Sequence, residues 1–255
     1  MLYKVIGKGE PIVMIHGWAM SSEIWLDLAN KIAKNHQVFL IDLPGMGSNK
    51  NTQFIDMDQI NVEINALNLS HFSIMGWSFG GQIALYYSYK FPKKIKKLFL
   101  VSTTPCFVNQ IEEWTNGVEK EVFNKFANDL IGDWQTTMER FLNLQLLGSE
   151  CRKTILKKLK PLFLKTAPDI DSLKRSLNLL LKNDLRYLLS HIDTPTMIMT
   201  GNLDKLVPLE ASEFMNKKLK FSKIKIFKGA AHLPFLSHSD DFMNTFQEFN
   251  DNYDK

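Results

Sequence analysis

Cysteine is scarce in this chain: Cys106 and Cys151 are the only two in 255 residues. Two thiols so far apart build neither a disulfide framework nor a cysteine metal site, so a reduced compartment suits them, and burial is the expected role of both. No apolar run approaches the ~18 residues that cross a bilayer, and the start, Met1-Leu2-Tyr3-Lys4, lacks the long apolar stretch of a signal peptide. A cytoplasmic location is expected. An excess of charge of one sign is also lacking. The formal net charge of +4 favours acidic partners without demanding nucleic acid. Flexible Gly/Ser linkers, internal repeats and low-complexity tracts are absent, which argues against a string of modules. Walker, H-E-x-x-H and EF-hand patterns are absent as well, so neither a phosphate loop nor a metal site is expected, and no cofactor is invoked.

What the chain does have is apolar content, 45% of its residues, enough for a sizeable core. Over the first hundred residues, short apolar runs alternate with helix-like stretches, the pattern of a parallel sheet with crossover helices. Strands are expected at Ile12 to Ile15, Val38 to Ile41, Phe72 to Met75 and Leu98 to Val101. From about Asn109 to Lys182 the pattern turns to long amphipathic segments rich in Lys, Leu and Phe, with no convincing strand. Strand character returns at Thr196 to Thr200 and at Lys223 to Phe227. The expectation is an α/β protein with a mostly parallel central sheet: a core of residues 1–108 and 187–255, and an inserted all-helical cap of residues 109–186.

The chemistry centres on Gly76-Trp77-Ser78-Phe79-Gly80, a G-x-S-x-G that follows an apolar run and precedes a helix. A serine on a sharp strand-to-helix turn is strained, and strand and helix approach so closely that the residues two before and two after must be small. Such a nucleophile needs a base and a carboxylate to orient it. Asp204, in Gly201-Asn202-Leu203-Asp204, follows the strand ending at Thr200; His232, in Gly229-Ala230-Ala231-His232, follows the strand ending at Phe227. The order Ser, Asp, His is that of an α/β-hydrolase. Asp184 closes the helical stretch and Asp193 precedes its strand, so either would sit at the wrong sheet edge. His238 reads as a solvated helix start, and His36, His71 and His191 stand beside strand starts without triad context.

A tetrahedral oxyanion needs at least two N–H donors. Met14-Ile15-His16-Gly17-Trp18 runs from a strand into a glycine turn, so that the Trp18 amide can join that of Phe79; His16 there is expected to order the loop. Asp42-Leu43-Pro44-Gly45-Met46-Gly47 carries G-x-G after a strand, but Lys50 replaces the third glycine of a dinucleotide fingerprint, and the segment reads as a structural turn.

Together, His16-Gly17-Trp18, Asp42-x-Pro44-Gly45-x-Gly47, the serine elbow, Gly201-x-x-Asp204 and Gly229-x-x-His232 resemble the α/β-hydrolase superfamily over the full length. More narrowly, the chain resembles the carboxylesterases of biotin synthesis that demethylate pimeloyl-[acyl-carrier protein] methyl ester. The narrower signs are Gly17-Trp18 with Trp25 downstream, Thr104-Pro105-Cys106-Phe107, Glu139-Arg140-Phe141-Leu142-x-Leu144-Gln145 and Ala230-Ala231-His232-x-Pro234-Phe235-x-Ser237-His238. The resemblance implies catalytic roles for Ser78, Asp204 and His232, and an oxyanion hole of the Trp18 and Phe79 amides. It further implies substrate or carrier contacts at Trp18, Arg140 and Phe141, and an acidic acyl carrier protein as partner to a monomeric enzyme; Phe126 and Phe141 are candidates to line an acyl tunnel under the cap, packing of the cap helices onto the core being the other reading of each. Lys153 and Lys157 stand where the family has carrier-binding arginines, and Thr136 where it has another. Lysine lacks the bidentate fork, so looser docking is implied. A departure at Asn49, where many such hydrolases carry serine, touches only the hydrogen bonds of that loop. The alternatives are a general short-chain carboxylesterase with the same mechanism and a non-enzymatic receptor on a hydrolase fold; a carboxylate nucleophile, as in dehalogenases of this fold, is disfavoured by the serine.

Overall fold

The computed structural model describes residues 2–110, 113–165 and 169–252. Seven strands, β1 (Leu2–Ile6), β2 (Glu10–Ile15), β3 (His36–Asp42), β4 (Phe72–Trp77), β5 (Ile95–Val101), β6 (Thr196–Gly201) and β7 (Ser222–Phe227), form one sheet in the order β1-β3-β2-β4-β5-β6-β7. Every pairing is parallel except that of β1 with β3, which runs from Leu2 opposite Asp42 to Ile6 opposite Val38. The six expected strands are present, each reaching one to three residues beyond its apolar centre. β1 is an addition to the sequence-based expectation. It is short and lies at the edge, with Tyr3 and Val5 exposed, so it shows neither the alternation of a half-buried strand nor the apolar run of a central one. In contrast, β4 and β6 are buried along their whole length, which is why they read as continuous apolar runs.

Strand register places the site. Ile15 pairs with Gly76, Trp77 with Val101, Val101 with Met199, and Gly201 with Phe227, so the loops after β2, β4, β5, β6 and β7 leave the sheet at one edge. The chain passes from β2 outward to β3 and then back across to β4, which makes the β2/β4 boundary a topological switch point, where such sheets open a crevice.

Ten helices are described: α1 (Leu26–Ile32), α2 (Met57–Asn65), α3 (Phe79–Lys90), α4 (Lys120–Gly132), α5 (Trp134–Leu144), α6 (Arg152–Lys165), α7 (Ile170–Lys182), α8 (Leu209–Lys218), α9 (Pro234–Ser237) and α10 (Ser239–Asn252). Four of them, α4 to α7, fall between β5 and β6. They are tied to the rest of the molecule by named bonds: the Asp169 N–H donates to the Gly45 carbonyl at 2.9 Å, the Phe54 N–H donates to the Ser172 hydroxyl at 3.0 Å, and Lys158 pairs with Asp27 at 3.3 Å. Among the described residues no helix is long and apolar enough to cross a membrane. The two thiols part company. Cys106 is buried, as expected, but Cys151 is exposed, because it sits at the start of α6, where its carbonyl accepts the Ile155 N–H and its side chain faces outward.

Candidate active site

Ser78 occupies the single residue between β4 and α3, at φ 54° and ψ −118°. A non-glycine residue there is strained, and the surroundings hold it in place. Its N–H donates to the Val101 carbonyl at 2.9 Å, and its carbonyl accepts from the Gly81 N–H at 2.9 Å and the Thr103 hydroxyl at 2.7 Å. The flanking glycines have a steric cause. A Cβ on Gly76 would lie 2.1 Å from the Gly80 carbonyl oxygen, and one on Gly80 would lie 2.4 Å from the carbonyl oxygen of Ile15 and 2.5 Å from that of His16. All three obstacles are backbone, so no side-chain movement relieves them.

Asp204 and His232, on the loops after β6 and β7, meet in a buried hydrogen bond of 2.7 Å from His232 Nδ1 to Asp204 Oδ2. The other carboxylate oxygen accepts the N–H groups of Leu206 at 2.9 Å and Val207 at 3.0 Å, which fixes its orientation. A carboxylate only accepts, so Nδ1 carries the proton and Nε2 is left with its lone pair free. His232 Nε2 is buried and has no hydrogen-bond partner among the described residues, the Ser78 hydroxyl included. Such bonds commonly tighten only with substrate in place. Two contacts that the sequence did not signal steady the histidine. The Trp77 indole donates to the His232 carbonyl at 2.8 Å with the two rings 5.4 Å apart, and the His232 N–H donates to the Gln145 carbonyl at 3.0 Å. Main-chain acceptors have no side-chain signature, which is why neither contact could be read from residue types.

On the other side of the serine, His16 is fully buried and serves the loop as expected. Its Nδ1 donates to the Gly17 carbonyl at 2.7 Å and its Nε2 accepts the Leu43 N–H at 3.0 Å. Burial pushes its pKa below the ordinary 6.5, against the opposing pull of Asp42, so the ring is neutral. Gly17 abuts the elbow: a Cβ there would lie 2.8 Å from the Trp77 ring and 3.3 Å from Ser78 Cβ. The next residue, Trp18, lies outside any strand or helix, and its main-chain N–H has no acceptor among the described residues. The Phe79 N–H opens α3 and has no intrahelical acceptor. The Asp42 turn is structural: its carboxylate accepts the Ser22 and Ser48 N–H groups at 2.6 and 2.9 Å, and Asn49 donates to its carbonyl at 3.1 Å.

A family model described as alpha/beta hydrolase fold matches residues 10–239. The chain belongs to the α/β-hydrolase family. This α/β hydrolase is 34% identical over 255 residues to the pimeloyl-[acyl-carrier protein] methyl ester esterase of Nitrosospira multiformis, with 96% of this chain and 95% of that protein covered. It is 35% identical over 240 residues to the protein of the same name from Wigglesworthia glossinidia brevipalpis, with 92% of each covered. Among solved structures it is similar to an esterase from Exiguobacterium antarcticum (TM-score 0.88, 24% identity, 97% of this chain and 94% of that one). It is likewise similar to a bromoperoxidase from Bacillus anthracis (TM-score 0.90, 20% identity, 98% and 95%). Those neighbours carry different names on one architecture, so they speak for the fold alone.

Beside Ser78 the α/β hydrolase has a partly open cavity of about 130 Å³ whose lining, the serine aside, is apolar. Trp18 forms its inner wall with two aromatics of the inserted helices, Phe126 at 5.7 Å and Phe141 at 5.5 Å between ring centroids, and those two rings lie 5.4 Å apart. Leu177 and Leu180 of α7 continue the wall. Arg140 on α5 and Lys153 and Lys157 on α6 are exposed. Neither lysine has a carboxylate partner among the described residues, whereas their neighbour Lys160 pairs with Glu139 at 3.3 Å. Thr136 is exposed on α5 and brings no charge. The competing candidates are engaged elsewhere: Asp184 with Arg186 at 2.6 Å and Asp193 with Lys220 at 3.5 Å. His238 closes α9 and stands at the start of α10, the helix start expected of it, where its carbonyl accepts the Phe242 N–H at 2.8 Å; it is half-buried, with its ring nitrogens on Ser237 Oγ at 2.8 Å and the Lys228 carbonyl at 3.0 Å.

Proposed function

We propose that this α/β hydrolase removes the methyl ester of pimeloyl-[acyl-carrier protein], releasing methanol and the distal carboxylate needed for biotin synthesis. The observation that carries the reading is a strained serine at the foot of an apolar cavity, beside a buried histidine oriented by a carboxylate. Near-full-length likeness to relatives of that name supports the substrate. The enzyme is a carboxylic ester hydrolase that needs no cofactor for this chemistry.

His232 Nε2 takes the Ser78 proton as the hydroxyl oxygen attacks the ester carbonyl, and Asp204 stabilises the resulting imidazolium. The Trp18 and Phe79 N–H groups receive the oxyanion. Collapse breaks the bond to the methoxy oxygen, which leaves as methanol with the proton from His232, and water hydrolyses the acyl-enzyme by the same route. Residues 109–186 act as the cap. The apolar cavity takes the methylene chain, with Phe126, Phe141 and Trp18 along it, so that the distal ester reaches Ser78 while the thioester to the pantetheine arm stays at the mouth. Arg140, Lys153 and Lys157 attract the acidic carrier; the enzyme works as a monomer in the cytoplasm.

Mass spectrometry of methyl pimeloyl-[acyl-carrier protein] after incubation tests this. The carrier is expected to lose one methylene mass and to keep its acyl chain; an unchanged carrier alongside a turned-over short-chain ester would leave a general esterase. Reversing charge at Lys153 and Lys157 to Glu is expected to weaken turnover of the carrier substrate several-fold, more so at low salt, and to spare a small nitrophenyl ester. Equal losses on both substrates would remove the docking role.

A further inference from the structure

The Trp18 indole is buried, and its Nε1–H is shared between two acceptors on α7: the Ser176 hydroxyl at 3.0 Å and the Leu173 carbonyl at 3.2 Å. Ser176 is itself fully buried and turns its own O–H to the Ser172 carbonyl at 2.7 Å, which leaves its oxygen lone pairs for the indole. The plane of the ring is set by Phe126 and Phe141, packed edge-on at 67° and 85°. Rotation within that plane is set by the α7 bonds. One turn earlier, Ser172 receives the Phe54 N–H at 3.0 Å and the Asp169 N–H holds the Gly45 carbonyl at 2.9 Å, so this stretch of α7 is fixed to the core. Alanine would fill the place of Ser176 on the helix, so the contribution of its hydroxyl is the bond itself.

We infer that Ser176 is a positioning residue: through the indole of Trp18 it sets the direction of the Trp18 main-chain N–H, so that α7 and the oxyanion loop act as one unit. The inference rests on the reading of that N–H as an oxyanion donor. His16 Nδ1 and the Met20 N–H hold the carbonyl end of the Gly17–Trp18 peptide at 2.7 and 3.3 Å; the indole anchor adds the hold on the Trp18 side, and an oxyanion donor works only if kept to within ~0.5 Å of its place as charge develops. A serine on a helix 158 residues downstream thereby reaches the chemistry without touching substrate. Leu173 keeps a share of the indole bond when Ser176 is truncated, so the loss is partial.

Kinetics on a small nitrophenyl ester, which needs no carrier, tests the assignment with Ser176→Ala, Trp18→Phe and the double variant. Each single change is expected to lower kcat about three- to tenfold, as befits one neutral hydrogen bond, with KM within about twofold and the pH profile unmoved. The double variant is expected to match Trp18→Phe, which already removes both α7 bonds. A lowered melting temperature with unchanged kcat, or losses that multiply in the double variant, would overturn the assignment. A crystal structure of the wild-type Ser78 phosphonate adduct separates the two layers. An adduct oxygen ~2.7–3.1 Å from the Trp18 and Phe79 nitrogens supports the oxyanion reading, so that unchanged kcat in Ser176→Ala then removes only the positioning role. An adduct oxygen held away from Trp18 removes the oxyanion reading and the inference with it.

Discussion

Ser78 and the residues around it are held by backbone more than by side chains, and that makes the elbow intolerant of the smallest change. Gly80→Ala places a methyl group 2.4 Å from the Ile15 carbonyl oxygen, and β2 cannot retreat without losing its pairing with β4. The expected cost is ~2 kcal/mol or more in denaturant unfolding, with esterase activity lost; a variant as stable and active as the parent would contradict the close approach. His16 offers a test at the same scale. Its pKa is depressed from 6.5 by burial, so below that value the unfolded chain takes up a proton that the folded protein refuses. Its contribution to stability is therefore complete above pH 6.5 and drains away as pH falls. The melting temperature is expected to drop between about pH 7 and about pH 5, and His16→Gln is expected to start lower and show a flatter profile across that window. The thiols differ likewise. Burial pushes the Cys106 thiol pKa up while Cys151 is exposed, so iodoacetamide is expected to label the native protein at Cys151 alone, as peptide mapping would show.

At the scale of elements, the strands that bear the site were legible for two reasons: β4 and β6 are buried on both faces and read as unbroken apolar runs, while β7, a half-buried edge strand, alternates Lys223 and Lys225 with Ile224 and Ile226; the positions of Asp204 and His232 followed from the strand ends before them. β1 was not legible, since an exposed edge strand pairs through its backbone and leaves no pattern in its side chains. The same reason hides the Gln145 carbonyl beneath His232. Ser176 on α7 escaped for a different one: a serine on an amphipathic helix looks like its polar margin until the partner, far off in sequence, is known. The aromatic wall of α4 and α5 yields a prediction at this scale. Phe141→Ala removes one side of the cavity beside Trp18, and kcat/KM is expected to fall about tenfold for esters of six or more acyl carbons while acetyl esters stay within about twofold. Parallel loss on both would place Phe141 in folding rather than in chain recognition.

Across the whole molecule, the sheet edge, the inserted helices and the surface charge converge on a problem of selection. The substrate proposed here carries two acyl bonds within reach of a serine nucleophile, and a thioester is the more reactive of the two. On the proposed reading, the apolar cavity lined in part by Ser78 resolves this by burying the methylene chain and drawing the distal ester inward. On the same reading, Lys153 and Lys157 of α6, exposed and without a carboxylate partner among the described residues, hold the carrier outside. The bond that Ser78 attacks is thus the central claim, and rapid-quench mass spectrometry of the enzyme with methyl pimeloyl-[acyl-carrier protein] reads it directly. An adduct in which the enzyme and the whole carrier are joined through the pimeloyl chain, with only methanol lost, is the predicted result. An enzyme carrying a methyl pimeloyl group, beside a carrier with its thiol set free, would contradict it.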